Sequence, residues 1–216
     1  MSEEKYKETI ESYNKNLPEF LKKLNYFDSK QKEHLDYTMK LLPSYPKKKV
    51  VFDIGCGTGK DLNYLKENYD IVDIGLDRSD VMVRISKGIK GDMRYLPIKD
   101  DSCDVVISNS SLVHLNKKDK EMVLKEVYRV LKGEGIFSVW VQNLYSFPYI
   151  KYFKDFLVTS ISNRKIEKGY AYANKRHWYY PTKKEMLDLF NKTNFEIIYS
   201  NSMFSRWLEF FVRPIK

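Results

Sequence analysis

Cysteine is nearly absent: among 216 residues only Cys56 and Cys103 occur. That excludes a disulfide-stapled scaffold and a four-cysteine zinc site, and it makes a reducing compartment the default. No metal site is expected. No apolar run reaches the ~18 residues of a membrane helix. The opening MSEEKYKETIESYNKN lacks a basic segment followed by an apolar one, so a cytoplasmic protein with no membrane association is expected. Acidic residues are in deficit, 29 Asp and Glu against 38 Lys and Arg, which leaves a net charge of +9. Such a charge favours anionic partners such as nucleic acid, although a Lys-rich composition can also reflect the source proteome, and charge bears on association rather than on fold. What is present, 43% hydrophobic and 31% charged residues, excludes a disordered chain and suits one globular domain with a real core.

Along residues 3–26, Tyr6, Ile10, Tyr13, Leu17, Leu21 and Leu24 recur three or four apart, as on one helix face, and Pro18 divides the stretch into two short helices. A further helix over about 29–42 places Leu35, Met39 and Leu42 on one side, with His34 on a polar, solvated face. KKVVFDIG then reads as a buried strand entering a glycine turn. After it a helix near 59–68, a strand at 71–76, a helix at 80–86, a strand at 104–108, a helix at 117–132 and a strand at 135–141 alternate. This alternation predicts βαβ units and a parallel sheet covered on both faces. A helix over 182–193 opens at Pro181-Thr182, and strands 195–200 and 207–213 are joined too closely for a parallel crossover, so they pair antiparallel.

The loop VVFDIGCGTG sets Gly55, Gly57 and Gly59 directly after the first strand, where backbone can approach a ligand closely and a helix N-terminus offers free N–H groups. A dinucleotide fingerprint needs a third glycine where Lys60 stands, or Leu62 in the alternative register, so NAD is disfavoured. A phosphate-binding P-loop needs Ser or Thr where Asp61 follows Gly59-Lys60.

The loop resembles motif I of class I S-adenosylmethionine-dependent methyltransferases, hhDhGCGxG, and the resemblance extends over about residues 48–141. IGLDRS ends the second strand at Asp77, followed by Arg78; GDMRYLP, DDSCDVVISNSSLVHL and EMVLKEVYRVLKGEGIFSVWV match later segments of the family, with Gly133-Glu134-Gly135 in place of the usual Pro-Gly-Gly turn. The resemblance implies an α/β, Rossmann-like, seven-stranded sheet, mostly parallel with an antiparallel last strand and helices on both faces. It implies S-adenosylmethionine as cofactor. The cofactor set it suggests is Asp53, Gly55, Cys56, Gly57, Gly59, Asp77, Arg78, Asp92, Met93 and Asn109. Within it, Asp77 takes the ribose hydroxyls, Asp92 and Met93 hold the adenine, Asn109 meets the methionine end, and Asp53 sits near the ammonium or orders the loop. Taken alone, Asp77 could simply cap a helix, and Cys56 reads as a small buried side chain.

The chain then divides into N-terminal helices (1–47), a cofactor core (48–142), an insert (143–180) and a final helix with a strand pair (181–216). The insert interleaves aromatics with seven basic residues against only Asp155 and Glu167, as single-stranded nucleic acid would require, or as a lid packed on the sheet would also show. GLDRS, VWVQN and RHWYYPTKKEMLDLF resemble the branch that methylates carboxymethyl-modified wobble uridine in tRNA. His114, which follows the fourth strand at the carboxyl edge of the sheet where ligands bind, is the candidate general base, or else it orients substrate or bonds to backbone. The branch implies substrate roles for Arg176, His177, Tyr179 and Tyr180, and a small zinc-binding activator subunit as partner. It usually carries a His-His pair where Val113-His114 stands here. The alternatives are a metabolite or quinone-type methyltransferase and a non-catalytic RNA-binding subunit of the same fold.

Overall fold

The apolar run before the glycines folds as β1 (Lys49–Ile54), whose last four residues are buried. The structure, a computed structural model, describes residues 2–15, 17, 21, 29–44, 48–144, 170–173 and 176–216. Ahead of β1 come helices α1 (Glu3–Lys15) and α2 (Ser29–Lys40). The expected break at Pro18 lies outside the described residues. After β1 the chain runs through α3 (Lys60–Asn68), β2 (Ile71–Asp77), α4 (Asp80–Ser86), β3 (Ile89–Lys90), β4 (Cys103–Asn109), a 3-10 turn at Leu112–His114, α5 (Lys117–Val130) and β5 (Leu131–Gln142). It closes with β6 (Tyr170–Ala173), β7 (Arg176–Tyr179), α6 (Lys183–Lys192), β8 (Phe195–Ser200) and β9 (Trp207–Pro214).

Seven strands form one sheet in the order β3-β2-β1-β4-β5-β9-β8. The first five are parallel, and β9 runs antiparallel to both β5 and β8. Alternation along the strands sends successive side chains to opposite faces. Phe52, Ile54, Val106 and Phe137 pack with Val123, Leu124 and Val127 of α5 and Met186, Leu189 and Phe190 of α6. Val51, Val105 and Ile107 pack on the other side with Leu35 of α2 and Leu62 and Leu65 of α3. Helices therefore cover both faces, as the alternation required. Three helices start on side-chain caps that accept from the third residue on: Ser79 from Met82, Asn116 from Asp119, and Thr182 from Glu185.

Four local expectations change. His34 is buried, not solvated. Its Nε2 lies 2.8 Å from Ser138 Oγ and its ring stacks on Trp140, because the buried face of α2 is Gln31, His34, Leu35 and Thr38, with its polar members bonded inward. The short edge strand β3 and the hairpin β6–β7 were not anticipated. Strand β5 starts at Leu131, directly after α5, and its register against β4 jumps from Cys103↔Leu131 to Val105↔Ile136. Gly133-Glu134-Gly135 thus forms a bulge within the strand, at the edge of the sheet opposite the glycine loop. Of the insert, residues 145–169, 174 and 175, with most of its aromatic and basic residues, lie outside the described residues.

Candidate functional site

Strands β1, β2, β4 and β5 end at one edge of the sheet, and the segments that leave them enclose a cavity of about 430 Å³. This carboxyl edge is where open α/β sheets bind ligands. Gly55 turns the chain there at φ +88°, and its N–H donates to Leu76 O at 2.7 Å. A Cβ at Gly55 would stand 2.4 Å from Ser111 Cβ, so the close approach of the two loops requires glycine. Gly57, at φ +53°, borders the cavity with nothing within 4 Å of its would-be Cβ.

The end of β2 fastens this loop. Asp77 Oδ2 accepts from Gly57 N–H at 3.0 Å and Oδ1 from Ser79 N–H at 2.8 Å. The Arg78 N–H also stabilises this carboxylate, and lone pairs beyond those the loop engages let Asp77 order the loop and still accept hydroxyl donors from the cavity it lines. Burial raises its carboxyl above the ordinary range. Asp92 behaves oppositely: burial alone would raise it, but hydrogen bonds from Arg94, 2.6 Å at the shortest, hold it below that range. Met93 lines the cavity beside it.

A second acidic centre lies at the start of α3. Asp61 is buried and accepts Gln31 Nε2 at 2.8 and 3.0 Å and Asn109 Nδ2 at 2.8 Å. With its amide nitrogen so engaged, Asn109 leaves Oδ1 buried at the cavity with no hydrogen-bond partner among the described residues. Asp53, fully buried behind the loop, is pushed well up by burial and then by the charges of Asp61 and Asp77. Three crowded carboxyls and an orphaned carbonyl oxygen form an acidic site, with Lys60, which donates to Gln31 Oε1 at 3.0 Å, as a neighbouring cation. The ammonium and sulfonium of S-adenosylmethionine suit such an acidic lining. Arg78 Nη1, also buried without a described partner, borders the same cavity.

The opposite wall comes from α1, the 3-10 turn and β7. His114 Nδ1 donates to His177 O at 2.9 Å, and the remaining ring nitrogen Nε2 accepts Tyr13 O–H at 2.9 Å. Burial lowers the imidazole to about 4 and raises the Tyr13 phenol to about 12. The Arg176 guanidinium stacks 3.8 Å from the Tyr13 ring centre, and Trp178 packs against His114 at 4.5 Å. This side of the cavity therefore offers one cation among neutral donors and rings. An NMR titration should find His114 uncharged at pH 5.5. As pH falls from about 6.5 toward 4 the unfolded chain binds this proton first, so His114 withdraws stability across that interval and adds no loss below it.

Of the residues expected from the sequence, Gly55, Cys56, Gly57, Asp77, Arg78, Asp92, Met93, Asn109, His114 and Arg176 border the cavity. Cys56 Sγ is buried, and desolvation pushes its thiol up to about 12, so it is no nucleophile. Asp53 and Gly59 stand behind the lining rather than in it. Gly59 instead lets α3 approach α4, since a Cβ there would meet Ser86 Cβ at 3.1 Å. His177, Tyr179 and Tyr180 are buried beside the cavity without bordering it. His177 Nε2 pairs with Glu8 at 2.7 Å, Tyr179 O accepts Lys120 Nζ at 2.9 Å, and Tyr180 stacks on Trp178 with planes 5° apart. These three hold β7 in place; Arg176 and Trp178 are the β7 side chains that reach the cavity. Sequence reasoning missed Tyr6, Tyr13, Gln31, Trp178 and Trp207 as lining residues. The three-to-four spacing of Tyr6, Ile10 and Tyr13 did signal a packed face, but not that the face covers a cavity.

Residues 52–139 match the methyltransferase domain family. The uncharacterized protein MJ1252 of Methanocaldococcus jannaschii is 32% identical over 69% of this chain and 62% of its own length. The mouse tRNA (carboxymethyluridine(34)-5-O)-methyltransferase ALKBH8 is 30% identical over 63% of this chain, which spans only 22% of that protein. Among solved structures, a methyltransferase in complex with the Trm112 activator of Haloferax volcanii aligns with a TM-score of 0.71, 18% identical, over 96% of this chain and 98% of its own.

Proposed function

The chain carries a methyltransferase domain of the S-adenosylmethionine-dependent class, and from that premise we propose that it methylates tRNA, converting the carboxymethyl group of a wobble uridine to its methyl ester. The observation that carries this reading is the acceptor wall: one guanidinium, Arg176, beside a histidine kept neutral with both ring nitrogens hydrogen-bonded. A wall of this kind suits an acceptor that arrives already charged. A carboxylate is ionised near neutral pH and needs no general base, and a guanidinium fork matches its two oxygens. His114 is accordingly a positioning group in this reading, not a base.

When bound, S-adenosylmethionine supplies an activated methyl on a cationic sulfur, so the protein's task is alignment. Asp77 would accept from the ribose hydroxyls, Asp92 and Met93 would border the adenine, and Asn109 Oδ1 with the Asp61 cluster would face the ammonium. Tyr13 and Arg176 would hold the acceptor on the other side of the transferred group. The tRNA carboxymethyluridine methyltransferase activity of mouse ALKBH8 supports the tRNA assignment. The Haloferax volcanii complex supports a Trm112-like activator subunit as partner. No helix among the described residues is long and apolar enough to cross a membrane. A small anionic metabolite is the second reading, favoured by the way α1 lies across the cavity.

Incubation with methyl-labelled S-adenosylmethionine and total RNA from a strain lacking the gene tests the assignment. Label in a tRNA nucleoside, released by mild alkali as an ester methyl must be, is the expected outcome. Label in no nucleoside would overturn it in favour of a metabolite. The two readings also differ in salt response, since tRNA affinity should fall steeply as salt rises and metabolite affinity should change far less.

A further inference from the structure

The segment between β8 and β9 carries an aromatic side chain, Phe204, that the fold holds outside the core. Phe204 is 82% exposed, and its neighbour Met203 is 47% exposed. The backbone around them is nevertheless tightly held. Asn143, fully buried at the end of β5, donates from Nδ2 to Met203 O at 2.7 Å and to Ser205 O at 2.9 Å, and its N–H donates to Arg206 O at 3.1 Å. Asn201 Nδ2 donates to Trp207 O at 2.7 Å, and Asn201 O accepts Lys183 Nζ. Within the loop, Ser202 accepts at Oγ from Phe204 N–H at 3.3 Å and at its carbonyl from Ser205 N–H at 3.1 Å. Buried Asn143 thus fixes a loop conformation that leaves a phenyl ring in water, where an unconstrained loop could fold the ring down.

Topology puts the loop that carries this ring beside the cavity. Strands β5 and β8 point the same way because both pair antiparallel with β9, so the loop leaves the sheet at the carboxyl edge. Trp207, the first residue after the loop, pairs in register with Gln142, and both border the cavity. We infer that Phe204 is a stacking platform for a nucleobase adjoining the methylated nucleotide, with Met203 completing the contact. This rests on the proposal that the acceptor is RNA. Stacking on a preset aromatic ring accepts any base and uses little area. A stable protein interface instead needs about 800 Å² from each partner, and this loop surrounds its two apolar side chains with Asn201, Ser202, Ser205 and Arg206. The net charge of +9 suits a phosphate backbone.

The test is anisotropy with fluorescently labelled bulk tRNA on the full chain, with Phe204→Ala and Phe204→Trp, and with S-adenosylmethionine affinity measured in parallel. Phe204→Ala should bind tRNA ~5- to 150-fold more weakly, the range for loss of one stacked base. Phe204→Trp should keep wild-type affinity, and both variants should bind the cofactor as wild type does. Wild-type protein that binds tRNA no differently from Phe204→Ala would overturn the platform while leaving the RNA reading intact. Equal weakening in Phe204→Ala and Phe204→Trp would also overturn it. Wild-type protein that binds no tRNA would overturn the RNA reading and the platform with it. Unchanged tRNA affinity in Phe204→Ala, with loss of a complex with a co-expressed Trm112-type subunit, would assign the loop to a protein interface instead.

Discussion

Replacing Asp77 with alanine should weaken S-adenosylmethionine binding by about 100-fold or more while leaving the sheet folded. A carboxylate that accepts two ribose hydroxyls makes two charged hydrogen bonds, each worth ~1.5–3 kcal/mol, and a loss of ~3 kcal/mol is already more than a hundredfold. The same substitution frees the N–H groups of Gly57 and Ser79, which Asp77 now satisfies at 3.0 and 2.8 Å. The glycine loop should therefore loosen as well, at a cost of about 1–3 kcal/mol in stability. Asp77→Asn separates the two effects, because its amide oxygen can still accept one loop N–H. Equilibrium dialysis with labelled cofactor reads affinity, and thermal melting with circular dichroism reads the fold. Undiminished affinity in Asp77→Ala would remove this residue from the cofactor site. Because burial raises the Asp77 carboxyl, cofactor affinity should also fall as pH drops through that raised value.

Arg176→Ala should lower kcat/KM for the acceptor by about 30- to 1000-fold, with cofactor affinity within about threefold of wild type. Loss of a charge-paired, oriented contact costs ~2–4 kcal/mol of transition-state alignment. Arg176 also lies over Tyr13 and donates to Ser12 Oγ at 3.3 Å, so it braces α1 against β7. Arg176→Lys keeps the charge but loses the planar fork and its stack, and should recover only part of the rate. Equal turnover in Arg176→Ala would remove β7 from the acceptor side.

What the sequence disclosed about the fold follows from how local each signal was. The glycine loop, the acid ending β2 and the helix-strand alternation are written within short windows, and the structure brings Gly57 and Asp77 to 3.0 Å as that spacing implies. The two-residue strand β3 has too few positions to show any period. His34 was misplaced because polarity was read as exposure. Its partner Ser138 lies 104 residues away, and that distant hydroxyl, with the Glu209 carboxylate 3.6 Å from Nδ1, makes a buried imidazole tolerable. The same holds for the acceptor wall. Tyr13 and His114 are 101 residues apart, and Glu8 and His177 are 169 apart, so neither pair leaves a local mark. The tyrosines of α1 announced a packed helix face, and only tertiary structure revealed that the face closes a cavity. Asn143 escaped notice for a related reason: it reads as a polar residue after a strand, yet it is fully buried and organises a loop 60 residues on.

The most direct test is a calorimetric titration of the intact chain with S-adenosylmethionine, repeated with Asn109→Ala. Saturable binding at a single site is expected, about 10-fold weaker or more in the variant, since Asn109 Oδ1 is a buried side-chain acceptor at the cavity with no hydrogen-bond partner among the described residues. No binding by the wild-type chain, or the same affinity in both proteins, would contradict the assignment of this cavity to the cofactor.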